Sequence, residues 1–294
     1  MRPSFSQFVQ VLLAYAAIAS SALFSRTALE ASISPFLFVA LRLSIAGTCL
    51  LLFQSCKKVT SLTCLERRKI IFLAFLQAFF PLNCEIWALQ YVSIPMTQLL
   101  YNLTPFLTAL LLCRRTRLSL IQWGCIAIAC TNSLFALGAS NSFSFPEIVM
   151  FLAVLSGAAG WIYFKKLLKE GHCPHFLNAA MMFTAGLLSW ALCGFLGVST
   201  KIEHPKAIFV ALASSLFFSN FVFYTLYSAA LQHSSPTFLA LLGQFTPLFA
   251  AFYTKVWFGE AFPENFLRSV FVTIFATLLF HREDKGLWGR SDSN

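Results

Sequence analysis

The chain has 294 residues, of which 58% are hydrophobic and only 11% charged, with a mean hydropathy of +0.74. Soluble domains carry about 25% charged residues, so too little polar surface exists here to cover a globule, and lipid must solvate much of the molecule. The net charge of +10 falls in short clusters between apolar runs, which excludes a nucleic-acid-binding reading.

A helix needs about 20 apolar residues to cross a bilayer core of about 30 Å. In chain order, ten segments meet or approach that length: 7–25, 35–54, 70–90, 94–112, 120–137, 146–164, 176–197, 207–230, 236–257 and 265–281. Their apolar character is continuous and does not alternate with period two, so they read as helices and not as strands of a barrel. Residues 7–25 also have the Ala and Ser content of a cleaved signal peptide; cleavage would leave nine spans and spoil the repeat described below. The nine cysteines are odd in number, lack metal-ligand spacing and avoid the expected external loops. Neither a metal site nor a disulfide framework is therefore expected.

Lys and Arg accumulate on the cytoplasmic side of membrane proteins. With the N-terminus inside, fifteen cationic residues fall on that side: Arg2, Lys57, Lys58, Arg67–Lys69, Arg114, Arg115, Arg117, Lys165, Lys166, Lys169, Arg282, Lys285 and Arg290. The opposite side has four, Arg26, Lys201, Lys206 and Lys255, while Arg42 and Arg268 lie within spans. Both termini are expected in the cytoplasm.

Two stretches repeat: ALQYVSIPMTQLLYNLTPF at 88–106 and ALQHSSPTFLALLGQFTPL at 230–248, offset by 142 residues. They fall on the third and fourth spans and on the eighth and ninth. Two halves of five helices each, residues 1–140 and 141–294, must cross the membrane in opposite senses because five is odd. The expected fold is thus an all-α integral membrane protein of ten transmembrane helices in two inverted five-helix repeats. Such repeats are common in secondary transporters, where exchange of conformation between halves opens a central site to alternate sides. Channels also use them.

Several residues are candidates for that site. Pro105 and Pro247 lie near the middle of spans four and nine, where each removes a hydrogen bond and kinks a helix. The carbonyls of Tyr101 and Gly243 lose their donors, and the hydroxyls of Thr104 and Thr246 are placed to compensate. These kinks suit either a moving pair or a static bend. Arg42 and Glu85 are costly inside a span, about 2.5–3.5 kcal/mol each, and both sit roughly 8–11 Å from the outer end, a depth at which they can pair. Glu85 has three open roles: neutralising a cationic substrate, carrying a coupling proton, or holding Arg42. Gln98, Asn102 and Gln244 offer amides to a substrate or to neighbouring helices, Asn102 and Gln244 being repeat equivalents. Tyr101, Trp161 and Tyr224 are among the aromatics able to stack on a ring or hold a cation. The glycines of Gly157-Ala-Ala-Gly160 read as a close-packing face.

The paired A-L-Q motifs with their Thr-Pro, the Gly259-Glu260 pair near span nine and SPFLFVALR at 34–42 together resemble the drug/metabolite transporter superfamily, in particular its EamA-type ten-helix members. The resemblance covers nearly the whole chain, although the first half carries Arg115-Thr116 where the second has Gly-Glu. It implies a multi-pass secondary transporter of the bacterial inner membrane, a monomer or homodimer, working by alternating access on a small molecule. The low charge and the abundance of Phe and Cys are most similar to members that move S-adenosylmethionine in host-dependent bacteria, by antiport against S-adenosylhomocysteine. A proton-coupled amino-acid or metabolite exporter and a passive channel remain alternatives. An enzyme is not expected: both aspartates, Asp284 and Asp292, lie in the tail, and no H-E-x-x-H, G-x-S-x-G or phosphate loop occurs. No cofactor is implied.

Overall fold

The computed structural model describes residues 5–54, 64–92, 94–112, 118–136 and 144–258, with scattered positions between 268 and 280. Among the described residues every regular element is helical. α1 (Phe5–Ala19) and α2 (Ser21–Glu30) run on from each other across Ser20, followed by α3 (Pro35–Gln54). α4 (Cys64–Ala74) passes through a π-helical segment, Phe75–Phe79, into α5 (Phe80–Ala88). α6 (Ile94–Tyr101), α7 (Thr104–Leu112) and α8 (Leu120–Ala136) complete the first half. The second half has α9 (Phe145–Lys169) and α10 (Pro174–Phe195). α11 (Pro205–Ser215) then continues through a second π segment, Leu216–Phe223, into α12 (Tyr224–His233). α13 (Pro236–Leu242), a 3₁₀ turn at Gly243–Phe245 and α14 (Thr246–Phe258) follow.

Among the described residues, seven helices are long and apolar enough to cross a membrane: Phe8–Glu30, Pro35–Phe53, Cys64–Ala88, Phe145–Lys169, Pro174–Phe195, Pro205–His233 and Pro236–Tyr253. The predicted span 94–112 is two shorter helices, because the chain turns at Asn102 and Leu103. The span 120–137 is the 17-residue α8, and 265–281 lies mostly outside the described residues. So do Arg115-Thr116 and Gly259-Glu260 of the sequence motifs.

The first helix extends beyond its predicted end at residue 25 and takes Arg26 out of the expected loop. Arg26 Nε pairs with Glu30 at 3.3 Å, one turn on, so its charge supports the last turn of α2 and does not end it. The chain then reverses at Ser32, whose φ is +65°. Arg67, Arg68 and Lys69 likewise lie in the opening turns of α4 and not in a loop. Lys69 meets Glu170, just past α9, at 2.6 Å and holds that carboxyl below its ordinary range. The tie is present at neutral pH and is lost as pH falls through the lowered carboxyl value.

Local chemistry sets the element starts. The Ser144 N–H donates to the Glu147 carboxylate at 2.5 Å, and the Ser235 hydroxyl accepts from the Phe238 N–H at 3.2 Å, each satisfying an end of α9 or α13. Pro105 and Pro247 occupy the second residue of α7 and of α14, where their missing N–H is an orphan in any case. The expected mid-helix kinks are therefore a break at Asn102–Leu103 before Pro105 and a tightening to the 3₁₀ turn Gly243–Phe245 before Pro247.

Packing follows the 142-residue offset. α9 lies along α5 and the first π segment; its counterpart pair, α1–α2, lies along α12, the second π segment and α11. α7 packs on α13, and α14 on α6. α3 lies against α10, where Gly186 meets Ser44, its partner under the same offset. A Cβ at Gly186 would come within 2.6 Å of the Ser44 hydroxyl, and one at Gly47 within 2.3 Å of the Phe183 nitrogen. Small residues here let two backbones touch, which is how helices hold together where lipid removes the hydrophobic drive. Within the Gly157–Gly160 stretch only Gly160 has this role, against Gln77, whereas a Cβ at Gly157 meets nothing within 4 Å.

Gly47→Ala and Gly186→Ala are accordingly expected to lower stability by about 1–3 kcal/mol through overpacking, read as a depressed thermal midpoint in detergent. Gly194→Ala, with nothing within 4 Å of its Cβ, should cause no loss.

Candidate functional site

Between the α1–α2/α11–α12 group and the α4–α5/α9 group lies a cavity of about 130 Å³. Its polar wall contains Arg42, Gln77, Glu85, Tyr101 and Ser219. A more open recess of about 620 Å³, between Thr27–Ala31 and Glu203–Ala207, is a surface depression at the helix ends.

Arg42 projects from the middle of α3 and is only 1% exposed. Its Nε donates to Asn220 Oδ1 at 2.7 Å and its Nη2 donates to the Ser219 hydroxyl. Both acceptors sit in the second π segment, whose widened turn presents adjacent residues to one guanidinium. Glu85, also buried, accepts from the Tyr101 hydroxyl at 2.5 Å. Among the described residues no ion pair joins Arg42 to Glu85. In place of the direct pairing that the sequence left open, two charges face one cavity, each held by neutral groups, with the arginine fork engaged by the second π segment.

The remaining wall is aromatic. The Trp161 ring lies 4.3 Å from Tyr227 and 5.6 Å from Tyr224, centroid to centroid. Phe223 stands 5.2 Å from Tyr227, and Tyr15 stands 5.8 Å from it, edge on. The Tyr15 hydroxyl donates to the Leu239 carbonyl at 2.8 Å, which fixes the ring against Gly243.

Five sequence candidates therefore meet at one cavity: Arg42, Glu85, Tyr101, Trp161 and Tyr224. Asn102 and Gln244 do not line it. Gln244 Nε2 donates to the Asn102 carbonyl at 2.6 Å, so these repeat equivalents bridge the breaks in their two helices. The side chain of Gln98 lies outside the described residues. At the break before Pro105, the Thr104 hydroxyl donates to the Tyr101 carbonyl at 2.5 Å, the compensation anticipated from sequence. Tyr15, Gln77, Ser219 and Phe223 line the cavity without having been singled out. Ser219 carried one available signal, its place beside Asn220 in an otherwise apolar span.

The two A-L-Q motifs each receive a cation from the other helix group. Arg26 Nη1 donates to the Leu89 carbonyl, and Lys165 Nζ donates to the carbonyls of Leu231 and Gln232, the latter at 2.8 Å. Leu89 and Leu231 are themselves 142 residues apart. Each contact ties one helix group to the other. α2 packs on α11, the start of the helix that ends near Leu231, so the two contacts sit at opposite ends of the bundle.

The model of the EamA-like transporter family matches residues 7–137 and again 144–282. The chain belongs to the EamA-like transporter family. A protein of Chlamydia trachomatis serovar L2 named S-adenosylmethionine/S-adenosylhomocysteine transporter is 27% identical over 283 residues, covering 90% of this chain and 86% of its own. One of the same name from Chlamydia muridarum is 31% identical over 145 residues, 47% of this chain and 45% of its own. One solved crystal structure superposes with a TM-score of 0.74 over 93% of this chain and 97% of that one, at 16% identity, a likeness of fold alone. With the apolar helices, these findings make the chain a multi-pass transporter of a bacterial inner membrane.

Tyr101→Phe is expected to leave a buried carboxylate short of one donor. A hydrogen bond to a charged group contributes about 1.5–3 kcal/mol, so the variant should melt measurably lower in detergent. Tyr91→Phe, whose ring is 64% exposed, should melt with the wild type.

Proposed function

We propose that this transporter is a secondary carrier that takes up S-adenosylmethionine in exchange for S-adenosylhomocysteine by alternating access. The observation that carries the reading is the cavity with opposite buried charges and an aromatic wall, between two helix groups that equivalent cation-to-carbonyl contacts tie at opposite ends of the bundle. Its substrate term rests on the names of the curated relatives, which align over most of the chain. Stacked rings suit an adenine, and the same rings attract a sulfonium.

In this reading the chain is two inverted five-helix repeats, residues 1–140 and 141–294, giving ten helices with both termini in the cytoplasm. Reciprocal packing under one offset supports it: α7 on α13 is returned by α14 on α6, and Ser44 touches its own counterpart Gly186. Elements that touch their symmetry mates lie on a twofold axis. The Arg26–Leu89 contact then closes the outer end and Lys165–Leu231 the inner end. With both made, the structure corresponds to an occluded state. Opening requires one to break while its equivalent persists.

Labelled S-adenosylmethionine uptake into vesicles preloaded with S-adenosylhomocysteine should exceed uptake into unloaded vesicles several-fold. Uptake equal to that of empty-vector vesicles would sink the substrate assignment, and uptake indifferent to the preloaded compound would indicate a channel.

The gates have their own test, using a cysteine at Ser21 in a background without native cysteines and a membrane-impermeant maleimide. Arg26→Ala should raise labelling from outside, and Lys165→Ala from inside. The same change in both variants would refute the two-gate scheme.

A further inference from the structure

Resting on the exchange reading above, the geometry divides the labour inside the cavity more finely. A buried guanidinium is expensive unless paired, and among the described residues Arg42 meets the Asn220 amide oxygen and the Ser219 hydroxyl. Across the same cavity Glu85 has the Tyr101 hydroxyl. Two side chains evolved only to neutralise each other would meet directly. Here a positive and a negative group are held apart, each by neutral partners, on the wall of one space.

That arrangement is complementary to a zwitterion whose charges are separated by one carbon. Both compounds of the proposed exchange carry such an end, an α-carboxylate and an α-ammonium. They differ at sulfur: a sulfonium in one, a neutral thioether in the other. We infer that Arg42 receives the α-carboxylate and Glu85 the α-ammonium, so that the charged groups of the site read the moiety that both exchange partners share. The sulfur then falls to the aromatic wall of Trp161, Phe223 and Tyr227. Aromatic rings accept a sulfonium through cation–π attraction and a thioether through sulfur–ring contact. One site thereby takes both partners, which an exchanger must do. A carboxylate placed against the sulfonium would favour one partner over the other and hinder turnover.

Ser219 and Asn220 act as positioning residues. They orient the guanidinium from the opposite half, so the carboxylate subsite exists only while α3 and the second π segment are together.

The test is equilibrium competition against labelled S-adenosylhomocysteine on the purified full chain. Wild-type protein should bind decarboxylated S-adenosylmethionine, which keeps the sulfonium and an amine, about 10-fold or more weaker than S-adenosylmethionine. 5′-Methylthioadenosine, lacking the whole amino-acid end, should bind more weakly still. Arg42→Gln should reduce that carboxylate preference to near unity. Glu85→Gln should weaken both exchange partners by the same factor.

Selective loss of S-adenosylmethionine in Glu85→Gln would assign the carboxylate to the sulfonium and overturn the inference. So would equal wild-type affinity for the decarboxylated compound, a comparison that needs no variant to fold. Should wild-type protein bind neither exchange partner, the substrate reading fails by itself. The zwitterion assignment is then decided by α-amino acids against their decarboxylated amines, and it falls if the amines bind equally well.

Discussion

The bond from Arg42 to Ser219 and Asn220 ties the two halves of this protein together at the point where a charge is hardest to keep. A guanidinium at 1% exposure needs fixed acceptors, and water does not reach it in bulk. Its acceptors come from residues 177 and 178 positions away, on a turn that is π-helical and not α-helical. The widened turn, the close approach of α3 to α10 through Gly47 and Gly186, and the placement of Glu85 on Tyr101 form one arrangement. Removing any of these would leave a buried polar group without its partner.

A second constraint acts on the backbone. Within a membrane every N–H and C=O must be satisfied inside the protein, so each irregularity in these helices needs a partner. The break after Tyr101 is closed by the Thr104 hydroxyl and the break near Asn102 by Gln244; the chain ends of α5 and α12 are closed by Arg26 and Lys165. Each repair is made by a side chain: Thr104 beside the cavity, Gln244 across to the other half, and the two cations at the ends of α5 and α12.

Much of this was legible in the chain itself. Continuous apolar runs located the long helices, and Arg42 and Glu85 stood out because charges are rare inside such runs. The Thr-Pro pairs signalled interruption, but proline is as well accommodated in a first helical turn as in a kink, and only packing decides between them. The π segments had no sequence signal. They depend on contacts such as Gln77 against Gly160, whose Cβ would lie 2.2 Å from the amide oxygen. Arg42's partners were equally hidden, since two spans distant in sequence meet only once the halves are folded together.

The two A-L-Q…Thr-Pro stretches carry the same mechanical parts: a helix end met by a cation, a short helix, an irregular turn, and a further helix with proline at its second position. Where they differ, they specialise. Tyr101 reaches Glu85, while its counterpart Gly243 has no side chain, and the vacated volume receives the ring of Tyr15, 3.0 Å from where a Cβ would stand. One half thus supplies the polar anchor and the other the aromatic surface. Substrate pockets usually enclose about 300–1,000 Å³, whereas this cavity has about 130 Å³. In the exchange proposed above, a purine-bearing ligand requires the two helix groups to separate. In that same exchange, a repeated framework with unequal inserts lets the motion be the same in both directions while the bound molecule has no symmetry at all.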